Sequence, residues 1–188
     1  AKVKEIEKVD GMSFPLVVKP RFESTSYGLA FVESRAELEA AAGRIITDFR
    51  QDALVEEYID GREVAVALLG NESMAPLPLV ELDFGARSVR MMTGSDKFHR
   101  TVDEPQKVCP APLDPVTESD LREIGVGVFR ACQCRDYARV DIRLDRAGRP
   151  FVLEINSMAS LGQGGAYVTA ARAAGYDFNE LVLRIVDV

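Results

Sequence analysis

The stretch Ala138–Asn156, ARVDIRLDRAGRPFVLEIN, decides how this chain is read. In its first half Ala138, Val140, Ile142 and Leu144 alternate with Arg139, Asp141, Arg143 and Asp145. In its second half Phe151, Leu153 and Ile155 alternate with Val152, Glu154 and Asn156. A period of two marks strands with one apolar and one polar face. The segment Asp145-Arg146-Ala147-Gly148-Arg149-Pro150 joins them. A turn centred between Ala147 and Gly148 sets Asp141 opposite Glu154 and Arg139 opposite Asn156. The polar face then gathers two carboxylates and an amide oxygen beside a guanidinium. Facing carboxylates destabilise a sheet unless something neutralises them. A hard divalent cation does so, and an all-oxygen donor set suits Mg²⁺. Arg139 beside such an ion would stabilise charge developing on a phosphoryl or acyl oxygen. The same pattern also fits a half-buried hairpin whose polar face is solvated, with Arg139 and Arg143 in surface ion pairs.

Working outward, Phe14–Pro20 reads as a buried strand ending in Lys19, and Arg21–Gly28 as a loop of small polar residues. Leu29–Val32 is a second short strand. Ser34 and Glu37 form a capping-box pattern, and Leu38, Ala41, Ala42 and Ile45 continue at helical spacing. Ala53–Ile59 and Glu63–Leu69 are strands about the turn Asp60-Gly61, and Ala75–Phe84 is extended again. Met91–Gln106 is polar and irregular, a length of loop that often carries function. Thr117 is placed as the cap of a helix running to about Cys132. After the hairpin, a Gly-rich loop (Gly162, Gly164, Gly165) leads to an Ala-rich helix, and Asp177 caps the last helix. This order is α+β with mainly antiparallel pairing, not the strict alternation of a parallel sheet. Neither GxGxxG after a strand nor GxxxxGK[ST] is present.

The chain has 188 residues, with 47% apolar and 28% charged, enough for a real core in one or two small domains. A net charge of −7 argues against a nucleic-acid partner, which needs a broad basic face. No apolar run reaches membrane-spanning length, so no membrane partner is expected. Three cysteines, an odd count, suit a reducing compartment and a cytoplasmic location. Cys132 and Cys134 lack the partner pair a zinc site needs, and Cys109 reads as core. The single histidine, His99, excludes multi-histidine metal sites. Chemistry must therefore run on carboxylates, lysines, arginines and amides.

Taken together, the motifs resemble the ATP-grasp ligases, and in particular the D-alanine–D-alanine ligase group. Lys19 in VVKP, Glu56, Glu57 and Glu63 in LVEEYIDGRE, Arg139 and Asp141 in RVDIRLD, and Glu154 and Asn156 in LEIN follow in the family's order and approximate spacing. The loop KPRFESTSYG stands where the family has KP-x-x-EGSS-x-G. Each motif alone is weak and the ordered set is specific, covering almost the whole chain from Phe14.

The resemblance implies an α+β ATP-grasp fold of mostly antiparallel sheets with packed helices. It implies a small lobe over residues 1–70, incomplete at its start, and a large lobe over 71–188 carrying the metal-binding hairpin. The implied activity is ATP-dependent joining of a carboxylate to an amine. The carboxylate attacks the γ-phosphate to give an acyl phosphate, and an amino acid then displaces phosphate. ATP and Mg²⁺, as two ions with Mn²⁺ as a substitute, are the implied cofactors. The partners are small molecules, and a homodimer is allowed for. Lys19 and Lys97 would hold phosphate, and Glu23, Ser24, Thr25, Ser26 and Gly28 would fold over it. Glu56, Glu57 and the backbone of Ile59 would face adenine, and Glu63 the ribose hydroxyls. Asp141, Glu154 and Asn156 would hold magnesium. Arg139 and a backbone N–H near Ser160 would stabilise the tetrahedral oxyanion.

The chain departs from the family pattern in four ways. Ala159-Ser160 replaces the PG that follows the LE-x-NT segment, and Gly165 aligns with a serine that contacts the second substrate's carboxylate. Phe98 follows Lys97 where the D-alanine enzymes carry tyrosine; relatives that make an ester-linked product carry phenylalanine there. The family's preceding N-terminal domain is absent, so the chain is expected to be the C-terminal part of a longer protein. These features keep open a ligase for other amino acids, peptides or hydroxy acids, and a nucleotide-binding module without catalysis.

Overall fold

A computed structural model describes residue 9 and residues 11–72, 74–92 and 105–188. The chain divides into two compact units, Ala1–Tyr58 with Met91–Glu104 and Ile59–Arg90 with Pro105–Val188.

In the first unit β1 (Leu16–Pro20) pairs antiparallel with both β2 (Ala30–Val32) and β3 (Ala53–Glu57), giving the order β2-β1-β3. Helix α1 (Arg35–Arg44) runs on through a π turn at Ile45–Phe49. Leu16, Val18 and Val32 pack with Leu38, Ala41 and Ile45 of this helical run. Strand alternation therefore leaves Val17 and Lys19 on the opposite face. The Ser34 hydroxyl accepts from the Glu37 N–H at 3.3 Å. The Glu37 carboxylate reaches back to Glu33 N–H, one residue earlier than a capping box requires.

In the second unit β4 (Gly61–Leu69) pairs along its whole length with β8 (Tyr137–Asp145), and β8 pairs with β9 (Pro150–Asn156). The strands β5 (Ala75–Pro76), β6 (Val80–Asp83) and β7 (Gln106–Val108) complete a six-stranded sheet of order β7-β6-β4-β8-β9, with β5 on β4. Every pairing is antiparallel. Helix α2 (Pro115–Ala131) covers one face, with Leu121 and Phe129 against Val64, Val66, Val140 and Ile142. Gly125 permits this approach, since a Cβ there would lie 2.7 Å from Val66 Cγ1. Helices α3 (Ala166–Ala173) and α4 (Phe178–Asp187) cover part of the other face, where Tyr167, Ala171 and Leu181 pack on Ala65 and Ala67. With both faces covered, β4 reads as an unbroken apolar run rather than an alternating one.

Three expectations are corrected. The strand Gly61–Leu69, placed in a first lobe ending at residue 70, belongs to the second unit because its pairing partners are β6 and β8. Ala75–Phe84 is two short strands rather than one extended run. The long helix starts at Pro115 and is capped by Asp114, not Thr117. The Asp114 carboxylate accepts from the N–H groups of Val116 and Thr117 at 3.1 and 3.0 Å, while Pro115 takes the first-turn position where no N–H is needed.

The Asp114 carboxyl is held below its ordinary range chiefly by hydrogen bonds from the Thr117 side chain and backbone, which outweigh the opposing effect of burial, with a lesser contribution from the Val116 backbone. A depressed carboxyl stabilises the fold above its unfolded pKa and loses that contribution as the pH falls through its folded value. We expect Asp114→Ala to lower the melting temperature by about 2–4 °C at neutral pH. The gap to the parent should shrink in acid; a gap constant with pH in thermal melts would remove the cap from this account.

Candidate functional site

The β8–β9 register meets the sequence expectation: Arg139 pairs with Asn156 and Asp141 with Glu154. Beyond that point a bulge intervenes, so that Ile142 faces Val152, and Arg143 faces Phe151. Bulges re-aim side chains and recur beside functional sites.

Arg139 donates to both oxygens of Asp141, at 2.6 Å from Nε and 2.7 Å from Nη2. The Asn156 amide nitrogen donates to Asp141 Oδ2 and to Glu154 Oε1, both at 3.1 Å. Burial opposes the charge on Arg139. The hydrogen bond to Asp141 and the charges of Asp141, Glu154 and Glu63 outweigh it, so its pKa lies above the ordinary value. Arg139 is thus a fixed cation among carboxylates.

Among the described residues no three carboxylate, thiol or imidazole side chains converge as a metal site. The expected set has a different composition, two carboxylates and an amide. One amide nitrogen bridges both carboxylates here, so the three side chains already share one focus. With the amide turned about, its oxygen would join theirs in the all-oxygen set that magnesium prefers. These residues fit the ion.

The same sheet face continues onto β4, where Glu63 lies opposite Arg143. Arg143 Nε and Nη2 donate to Glu63 Oε2 at 3.2 and 3.0 Å, and Nη1 donates to the Ile59 carbonyl at 2.6 Å. Arg143 also donates to the Arg90 carbonyl and lies over the Phe84 ring. It is 3% exposed, so the reading of Arg143 as a surface ion pair is corrected. Sequence reasoning missed it as a site residue. The available signal was its place on the polar face, two residues beyond Asp141.

Ser160 is exposed, and its hydroxyl accepts from the Gly162 N–H at 3.2 Å. Helix α3 opens on Gly165, which offers no side-chain cap.

In the first unit Lys19 Nζ lies 2.6 Å from Glu56 Oε2. Val17 pairs with Glu56 and Lys19 with Leu54, so Lys19 and Glu56 share the sheet face away from α1. Glu57 pairs with Leu16, so alternation places it on the other face. The sheet therefore brings Glu56 to Lys19 and leaves Glu57 apart. In the loop, Gln51 accepts from the Phe22 N–H at 2.8 Å and donates to the Glu23 carboxylate at 2.7 Å. The Thr25 hydroxyl donates to the Ser24 carbonyl. Thr25, Ser26 and Gly28 all have positive φ, a conformation non-glycine residues adopt at a cost. Gly28 is needed sterically, since a Cβ there would lie 2.6 Å from Phe49 Cζ. Gln51 is a loop-holding residue that the sequence reading did not single out. Lys97 and Phe98 lie outside the described residues.

The antiparallel α+β fold, shared with solved D-alanine–D-alanine ligases, meets the expectation of an ATP-grasp fold. The family described as D-ala D-ala ligase C-terminus matches residues 2–187, and the chain belongs to that family. An uncharacterized protein y4sG of Sinorhizobium fredii is 52% identical over 97% of this chain and 54% of its own length. A D-alanine–D-alanine ligase of Pelotomaculum thermopropionicum is 32% identical over 94% of this chain and 54% of its own. In fold, the chain is similar to a D-alanine–D-alanine ligase from Bacillus anthracis solved with ATP. The TM-score is 0.77 at 22% identity, over 100% of this chain and 55% of that one. The chain spans about half the length of the curated relatives it matches.

Proposed function

We propose that this chain is the ATP-binding part of a ligase that joins a carboxylate to an amino group, of the D-alanine–D-alanine ligase kind. The observation that carries the reading is the β8–β9 register, which sets Asp141 across from Glu154 and Arg139 across from Asn156 in a member of that family. Lys19 supplies positive charge to a phosphate from the end of β1. Loop residues Glu23, Ser24, Thr25, Ser26 and Gly28 cover it, and Lys97 joins them. Glu56 and Ile59 serve adenine, Glu57 flanks them, and Glu63 serves the ribose hydroxyls. Asp141, Glu154 and Asn156 hold magnesium, which would neutralise charge on the phosphate oxygens when bound. Arg139, kept charged by Asp141, stabilises the oxyanion that forms when the acyl phosphate is attacked, with the backbone near Ser160 assisting. No helix among the described residues is long and apolar enough to cross a membrane, in keeping with a cytoplasmic enzyme on small-molecule substrates.

A second reading differs in the nucleophile. Gly165 opens α3 with no side chain to meet a substrate carboxylate, which favours an amino acid, peptide or hydroxy acid other than D-alanine.

Titration of the chain with a non-hydrolysable ATP analogue tests the central claim. Magnesium-dependent binding is the expected result, and absence of binding in both conditions overturns it. Phosphate release from ATP with a panel of D- and L-amino acids and hydroxy acids then separates the two readings.

A further inference from the structure

Arg143 is the one charged side chain among the described residues that is fully buried. It takes no part in the chemistry proposed above. At 3% exposure it is not placed to touch a ligand. Its donors instead fan out to three acceptors from separate parts of the sequence: the Glu63 carboxylate, the Ile59 carbonyl and the Arg90 carbonyl. Ile59 and Arg90 are the first and last residues of the first of the two segments that make up this unit. A guanidinium is planar, always charged, and holds its donors in a fixed fork. Whatever it bonds to inherits that fixed geometry. A glutamate side chain left alone has several rotamers, and ordering it costs conformational entropy. Arg143 supplies that order before any ligand arrives, and its guanidinium lies over the Phe84 ring.

We propose that Arg143 is a positioning residue for nucleoside recognition, presetting the Glu63 carboxylate and the Ile59 backbone for the ribose and base. This rests on the nucleotide reading of the site. It assigns to Arg143 the specificity for ribose hydroxyls that Glu63 expresses.

The test compares ATP with 2′,3′-dideoxy-ATP, each with magnesium, in calorimetric titrations of the full chain and of Arg143→Met, Arg143→Lys and Glu63→Gln. A hydrogen bond to a charged group sets the expected preference of the parent for ATP at about tenfold or more. Glu63→Gln and Arg143→Met should bring that preference to within about twofold, while Arg143→Lys retains part of it. Thermal melts confirm that each variant unfolds cooperatively, and Arg143→Lys carries the comparison if Arg143→Met does not fold. A variant of Arg143 that weakens both nucleotides equally, or keeps the full preference, overturns the proposal. Glu63→Gln with an undiminished preference overturns the ribose reading of Glu63 itself. A parent chain that binds neither nucleotide overturns the ATP-binding function.

Discussion

Glu154→Gln is expected to weaken binding of the magnesium complex of a non-hydrolysable ATP analogue by about tenfold or more. Loss of even an outer partner of a metal ligand has that effect. Magnesium-free binding should change by less than about twofold. The substitution keeps the shape and removes one charge. In the structure Glu154 accepts from the Asn156 amide, a bond that a glutamine oxygen can still accept. The fold should survive for that reason, so the loss can be read as loss of a ligand. Asp141 would be a poorer choice, because it also neutralises Arg139 through two hydrogen bonds. Removing it leaves an arginine that is largely buried without its counter-charge, and stability would fall along with binding. Calorimetric titration with and without magnesium separates the two effects. Equal weakening in both conditions would move Glu154 out of the metal site.

Legibility of this site from sequence followed the range of the interactions that build it. The pairs Asp141–Glu154 and Arg139–Asn156 were read from alternation and a turn centred between Ala147 and Gly148, but next to the turn the strands pair one residue off that register, Ile142 with Val152 and Leu144 with Pro150, and the bulge restores the expected pairs. The bulge could not be read, since nothing in Phe151-Val152-Leu153 marks which residue the ladder skips. Arg143 looked like a surface residue because its partner Glu63 is 80 positions away. Its burial follows from the full-length pairing of β4 with β8. That pairing also explains the misplaced domain boundary. A boundary after residue 70 does fall where a strand ends, but that strand belongs to the second unit rather than the first. The cap at Asp114 was missed because Ser, Thr and Asp compete as caps. Pro115 was the clue that should have decided it, since proline favours the first helical position. Lys19 and Glu56 were both named, and only the antiparallel register of β1 with β3 shows that they meet while Glu57 does not.

The largest structural effect is expected at Gly61. This residue opens β4 and faces Asp145 at the far end of β8. A Cβ built there would lie 1.8 Å from the Leu144 carbonyl oxygen, 2.9 Å from the Leu144 carbonyl carbon and 3.1 Å from Asp145 Cα. All three are backbone atoms of the partner strand, so no rotamer change relieves the overlap. The β4–β8 ladder must open where it begins, two residues from Glu63 and two from Ile59. Gly61→Ala should therefore destabilise by about 3 kcal/mol or more, the upper range for overpacking a well-packed site. For a chain of this size that is a fall of about 10 °C in melting temperature. Gly127 gives the opposite sign from the same chemical change. It lies on the exposed side of α2 with nothing within 4 Å of an added Cβ. There Gly127→Ala should stabilise by about 0.5–1 kcal/mol, because a helix interior favours alanine over glycine. Denaturant unfolding of the two variants beside the parent measures both. A Gly61→Ala variant as stable as the parent would mean that β4 and β8 do not meet at Gly61 and Asp145. The arrangement of Arg143, Glu63 and Ile59 built on that register would then fail with it.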